Sequence, residues 1–228
     1  MTAANSSVRL DPCLALIFDM DGVVIDSNPA HRASWAAFNR RYGLETTEAM
    51  QQRMYGKRND EIVRDFFGAG LSDEEVARRG AAKERLYREM IDGQVEKMLV
   101  PGLKTFLQDL GGVPIAMATN AEPDNVALVL EQGGIRPYFQ VVVDGHQVRN
   151  AKPDPEIYRL AAQRLGVMEG NCIVFEDSKS GVQAALNAGM RVVGLLTTED
   201  NLLGVNICAD NFLSGNLRAW LAGQRCVS

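Results

Sequence analysis

The chain has 228 residues, 46% of them hydrophobic and 23% charged, with a formal net charge of −5. This is the composition of an ordinary globular protein. The negative balance argues against nucleic acid as the main partner, and no apolar run approaches the roughly 20 residues that cross a bilayer. The length suits one large domain or a domain carrying an insertion.

Residues 1–10 are polar and contain no apolar core of a secretory signal, so a cytoplasmic protein is expected. The four cysteines, Cys13, Cys172, Cys208 and Cys226, are widely spaced and form no Cys-x-x-Cys, which argues against a zinc site or a redox pair. Cys13 and Cys172 adjoin apolar runs and are predicted to be buried thiols.

Residues 14–18 read as a strand buried on both faces, which ends in Asp19-Met20-Asp21-Gly22. Side chains at i and i+2 of an extended segment project the same way. Asp19 and Asp21 are therefore expected together at the strand's carboxyl end, the edge where open α/β sheets bind ligands. Two carboxylates so placed need a cation between them, or one keeps its proton.

No strand is expected between 28 and about 99. Helical periodicity runs instead through 29–42, 46–54, 58–67 and 73–91, punctuated by Gly43, Gly56, Gly68, Gly70 and Gly93. Ser72 followed by Glu75 is a capping-box pattern opening the longest of these. Val100-Pro101-Gly102 reads as the return to the main body. The expected organisation is thus a core of 1–27 and 100–228, with a helical cap of 28–99 inserted after the first strand. That insertion would overhang the sheet edge and could act as a lid.

Further strands are predicted over 114–118, 139–143, 172–175 and 191–195. Helices are predicted over 103–110, 123–132, 155–165 and 181–188. The alternation argues for a Rossmann-like α/β fold with a parallel sheet. The tail offers a short strand near 205–208 and a helix over 212–221.

Three more polar sites fall at this edge. Thr119-Asn120 ends the second strand, where a hydroxyl and a backbone N–H suit a phosphate oxygen or cap the next helix. Lys152 precedes Pro153-Asp154-Pro155, in which Asp154 is a natural N-cap and Pro155 a natural first helical residue. Glu176-Asp177 ends another strand and offers hard oxygen ligands suited to Mg²⁺.

A double aspartate, a threonine, a lysine and an acidic pair in this order resemble the four motifs of the haloacid dehalogenase superfamily. Phe18-Asp19-Met20-Asp21-Gly22-Val23-Val24-Ile25-Asp26-Ser27, Lys152-Pro153-Asp154-Pro155 and Glu176-Asp177-Ser178-Lys179-Ser180-Gly181-Val182 resemble its β-phosphoglucomutase-like branch. The resemblance implies a Rossmann-like core, a helical cap and a Mg²⁺-dependent phosphatase acting on a small phosphorylated metabolite as a monomer or weak homodimer. It implies Asp19 as nucleophile and Asp21 as general acid and base. It further implies Mg²⁺ on Asp19, the Asp21 carbonyl and Asp177 with Glu176 nearby, and Thr119 and Lys152 on the phosphoryl group.

Asp21 separates this chain from the dehalogenases, which lack the second acid. A phosphonatase would form a Schiff base on a cap lysine. Lys57 and Lys83 lie in the cap, but lysines on helix surfaces are ordinarily solvated. Within the branch, His31 resembles the histidine of the cap hinge, or is an exposed helix residue. Gly56-Lys57-Arg58-Asn59 resembles the substrate-specificity loop, and Asn120, Lys57, Arg58 and Lys83 are candidate substrate contacts. β-Phosphoglucomutases grip the non-reacting phosphate with a Ser-Lys pair where this chain has Ala121-Glu122. A carboxylate there would repel a second phosphate, which favours a phosphatase over a mutase. A non-catalytic regulatory protein of the same fold and a flavodoxin-like receiver are the other readings. The second leaves an insertion of roughly 70 residues unexplained.

Overall fold

The computed structural model describes residues 10–54 and 57–227. The polar N-terminus over residues 1–9 and Gly56 of the cap loop lie outside the described residues. Six strands form one parallel sheet: β1 (Ala15–Phe18), β2 (Ile115–Ala118), β3 (Val141–Val143), β4 (Cys172–Glu176), β5 (Arg191–Leu195) and β6 (Ile207–Ala209). Their order is β3-β2-β1-β4-β5-β6, with β1 in the middle. Leu16 pairs with Ile115 on one side and Ile173 on the other, so β1 is buried across its whole width.

The alternation of the strand decides the two layers. Leu14, Leu16 and Phe18 join Phe106, Phe139, Phe175 and Phe212 on one face. Ala15 and Ile17 join Val174, Tyr158 and Ala161 on the other. Phe18 stacks on Phe175 at 4.5 Å between ring centres.

Between β1 and β2 lie α1 (Asn28–Arg40), α2 (Glu48–Met54), α3 (Asn59–Phe67), α4 (Asp73–Ile91), α5 (Val95–Met98) and α6 (Leu103–Asp109). Trp35, Phe38, Met54, Ile62, Val63 and Val76 form a separate apolar core among the first four of these. Ser72 caps α4 by accepting from the Glu75 N–H at 3.2 Å. The reciprocal half of the capping box is absent, because Arg78 and Arg79 draw the Glu75 carboxylate away.

The remaining helices are α7 (Pro123–Gln132), α8 (Glu156–Leu165), α9 (Lys179–Asn187) and α10 (Gly215–Ala222). α9 begins two residues before the predicted start because the Ser178 hydroxyl accepts from Gly181 N–H. α10 begins three residues late, since Phe212 is drawn into the aromatic core and Ser214 becomes the N-cap. α5 and the short 3-10 turns at Arg136–Tyr138 and Glu169–Asn171 were not anticipated.

The cysteine prediction fails at Cys13. It is exposed and forms a disulfide with Cys226, Cα to Cα 6.1 Å. Their separation of 213 residues hides the pair from local reading. Topology makes it: β1 and β4 are neighbours, and the Val227 N–H bonds Asn171 just before β4. Cys172 is buried, as predicted, and burial pushes its thiol up to about 12. Among the described residues no helix is long and apolar enough to cross a membrane.

Candidate active site

After Phe18 the chain turns sharply through Gly22, whose φ is +77°. A Cβ there would overlap the Asp177 carboxylate, so the turn can close on β4's end only with glycine. Gly181 serves likewise in the first turn of α9, where a side chain would collide with Glu176.

These turns bring the expected residues to one sheet edge. Lys152 Nζ donates to Asp19 Oδ1 at 2.7 Å, to Glu176 Oε1 at 2.7 Å and to the Ala118 carbonyl at 3.2 Å. Its side chain is only 3% exposed. Thr119 is buried at the end of β2, its N–H on the Val143 carbonyl and its hydroxyl accepting from Ala121 N–H. A cavity of about 650 Å³ spans this edge and the cap, lined by Asp19, Asp21, Thr119, Asn120, Lys152 and Asp177 below. Asp154 is not the N-cap: α8 starts one residue later than predicted, Pro155 takes that position, and Asp154 Oδ1 accepts from the Glu156 N–H at 2.9 Å just ahead of it.

The electrostatics of the cluster are dominated by excess negative charge. Burial, only partly countered by Lys152 and reinforced by Glu176, pushes the Asp19 carboxyl up to about 7. Burial and then the charges of Glu176 and Asp19 hold Asp177 well above the usual range. Glu176 is also buried, but the Lys152 charge and bonds from Lys152 and Tyr158 outweigh that and leave it low.

Asp19, Glu176 and Asp177 can place oxygens within 4.8 Å of one another. Several hard carboxylate oxygens facing one lysine fit a small divalent cation, whose charge would relieve this crowding. Glu176 differs from its neighbours. Oε1 accepts from Lys152 and from the Tyr158 hydroxyl at 2.6 Å, and Oε2 from the N–H groups of Asp177 and Ser178 and the Ser178 hydroxyl. With no exposure, it stands behind Lys152 and away from the cavity wall.

Asp21 faces the cap. Its Oδ1 accepts from the Ser27 hydroxyl at 2.6 Å and lies 3.3 Å from His31 Nε2. Burial opposes its ionised form, yet the His31 and Ser27 contacts more than offset this and leave its carboxyl lowered. His31 is not the exposed helix residue of the alternative reading. It stacks on Tyr87 at 3.8 Å, and its Nδ1 lies 2.8 Å from Lys83 Nζ. Lys83 is likewise not solvated: it is 1% exposed and paired with Glu84 at 2.8 Å.

The specificity-loop residues divide. Lys57 is exposed at the cavity wall. The Arg58 guanidinium instead donates to the carbonyls of Gly145, Val148 and Arg149, tying the cap to the core loop after β3. Glu122 pairs with His146, next to the Gly145 that Arg58 holds, at 2.8 Å.

Sequence reasoning did not find Asn28, Thr198, Glu84, Asn125 or Tyr158. Asn28 donates to the Thr198 hydroxyl, which in turn donates to Asp177. These residues come from five separate segments, and no spacing pattern links them.

A family model described as haloacid dehalogenase-like hydrolase matches residues 13–189. The chain belongs to the haloacid dehalogenase-like hydrolases. This hydrolase is 34% identical to the fructose-1-phosphate phosphatase YqaB of Escherichia coli strain K12, over 78% of this chain and 94% of that one. It is 30% identical to hexitol phosphatase A of the same organism, over 82% and 85%. The crystal structure of β-phosphoglucomutase from Clostridium difficile superposes with a TM-score of 0.82 at 27% identity, covering 91% of this chain and 96% of the other.

Proposed function

We propose that the protein is a Mg²⁺-dependent phosphatase that hydrolyses a small phosphorylated carbohydrate through an aspartyl phosphate on Asp19. The observation that carries this reading is the buried Lys152 joining Asp19 to Glu176, opposite Asp21 and its cap contacts across one cavity. A sheet edge so rich in carboxylates has use for one lysine and one cation if a dianionic phosphate must enter.

In the first half-reaction an Asp19 oxygen forms a bond to phosphorus while the ester P–O bond breaks, and protonated Asp21 gives its proton to the leaving oxygen. In the second, Asp21 takes a proton from water as that water attacks phosphorus and releases Asp19. Thr119 and Lys152 hold the phosphoryl oxygens, and Lys152 also favours the ionised form of Asp19. Mg²⁺ on Asp19, Asp177 and the Asp21 carbonyl would supply charge neutralisation for the phosphoryl group. Glu176 contributes by holding Lys152.

The substrate side of the cavity supports a carbohydrate with a single phosphate. Arg58 is committed to three backbone carbonyls, and Glu122 adds a carboxylate to the cavity lining, which would repel a second phosphate. The phosphatase names of two relatives support the same class. Such metabolites are charged and retained by membranes, which supports a cytoplasmic setting, and the reading needs neither nucleic acid nor membrane. A monomer or weak homodimer suffices, since every proposed residue comes from one chain.

Phosphate release from a panel of sugar and polyol monophosphates, measured with Mg²⁺ and with chelator, tests the reading. Turnover of at least one of them only with Mg²⁺ is expected. No release from any member, or equal release under chelation, would overturn it.

The likeness to a β-phosphoglucomutase keeps a phosphosugar mutase as the second reading. Glu122→Lys separates the two. It is expected to lower KM for a hexose bisphosphate about 10-fold by reversing the local charge, with the monophosphate KM within about threefold. A wild-type protein that interconverts hexose phosphates faster than it releases phosphate would make the mutase the correct reading.

A further inference from the structure

The polar chain above the cavity does not stop at Lys83. Glu84 Oε1 accepts from Lys83 Nζ at 2.8 Å and Oε2 from Asn125 Nδ2 at 2.6 Å. Asn125 in turn accepts from Arg88 at 3.0 Å. Glu84 is 4% exposed and Asn125 1%. Lys83 and Glu84 belong to α4 in the cap, and Asn125 to α7 in the core, just after the Thr119-Asn120 loop.

A lysine ammonium has only donors to offer. Its 2.8 Å contact therefore makes His31 Nδ1 an acceptor and leaves the ring proton of neutral His31 on Nε2, facing Asp21. The nearly parallel Tyr87 ring, 6° from the imidazole plane, holds the ring orientation. The tautomer thus depends on Lys83 Nζ being held at this position, buried among the rings of Trp35 and Tyr87. A buried ammonium needs a carboxylate.

We propose that Glu84 is a positioning residue: by clamping Lys83 between cap and core, it fixes the His31 tautomer that presents Nε2–H to Asp21. The inference rests on the phosphatase reading only for its kinetic consequence. Without the carboxylate, Lys83 Nζ is no longer held at Nδ1, and the ring can turn or carry its proton on Nδ1 instead. The bare Nε2 would then face the Asp21 carboxylate and repel it. Because Glu84–Asn125 and His31–Asp21 both join cap to core, a cap that swings away releases both contacts together.

The test is Glu84→Gln, which keeps shape and removes charge. Nitrogen-15 NMR of the imidazoles reads the tautomer directly. The chain has two histidines, His31 and His146, and His146→Gln identifies the signals. Wild type should show an unprotonated, hydrogen-bonded Nδ1 on His31, and Glu84→Gln a mixed or reversed pattern. Its kcat should fall about 10-fold or more with KM within about threefold. In a His31→Gln background the same change should add less than about twofold, because the two residues act in series.

An unchanged His31 pattern in Glu84→Gln would overturn the proposal. So would an equal loss of kcat in both backgrounds, the mark of a merely structural role. A tautomer change in a protein that hydrolyses no phosphomonoester supports the positioning role and overturns the phosphatase reading. Should Glu84→Gln fail to fold, Asn125→Ala removes the core partner of Glu84, together with its Arg88 contact, and is read by the same measurements.

Discussion

Asp19→Asn is expected to lower kcat for phosphate release by about 10⁴-fold or more, because an amide oxygen cannot replace the carboxylate as nucleophile. The same change should make the metal-free protein more stable. Asp19 has its carboxyl raised from 3.8 to about 7, so its ionisation disfavours the folded state. The sign follows from linkage: a raised carboxyl leaves the folded state unpenalised below the unfolded value, and the cost grows between 3.8 and about 7. At about pH 8 under chelation the variant should melt about 5 °C or more above wild type. At about pH 4 the gap should close, and Mg²⁺ should raise wild type far more than the variant. Retained Mg²⁺-dependent phosphatase activity in Asp19→Asn would refute the nucleophile assignment. A lower melting temperature under chelation would refute the account of the charge cluster.

Lys152→Met carries the second large effect, and it moves activity and stability in the same direction. The lysine is the partner that Asp19 and Glu176 share, with its ammonium 4.8 Å from the centre of the Tyr158 ring. Removing it leaves buried carboxylates uncompensated, which costs about 3–5 kcal/mol. The loss of kcat/KM should reach about 10³-fold, as for removal of a preorganised charge at a reacting centre. Glu176 sets the pH window. Its carboxyl is held low by Lys152, so its contribution is present above its unfolded value of 4.5 and is lost as pH falls. Urea midpoints of wild type and variant should therefore differ fully near pH 7 and draw together as pH falls below 4.5. A gap that stays constant with pH would show that Lys152 contributes packing alone.

The two variants differ because Asp19 sits against its own interest and Lys152 does not. An arrangement that keeps the proposed nucleophile buried beside Glu176 and Asp177 would give up stability for reactivity. The nearby cavity and the cap contacts of Asp21 place that strain where a phosphate would enter.

Much of this was legible in the chain itself. Apolar runs ending in Asp19, Thr119 and Glu176 mark strands of a parallel sheet, because strands buried on both faces have little choice but continuous apolar composition. Ligand residues at their carboxyl ends follow from the sheet's geometry. The helical periodicity of 73–91 and the Ser72 cap located α4 to the residue, since both signals are local.

What only the tertiary structure decided is long-range. Lys152 reaches Asp19 across 133 positions, and the disulfide joins Cys13 to Cys226 because β1 and β4 are neighbours. Lys83 and His31 look like surface residues on their own helices, and become hydrogen-bond partners, Lys83 buried, only when α4 packs on α1. Glu84 and Asn125 carry no motif at all and meet where cap closes on core. Periodicity reports which face of an element is apolar. Which polar groups meet between elements depends on the packing angle and register of segments far apart in sequence, and no local pattern encodes those.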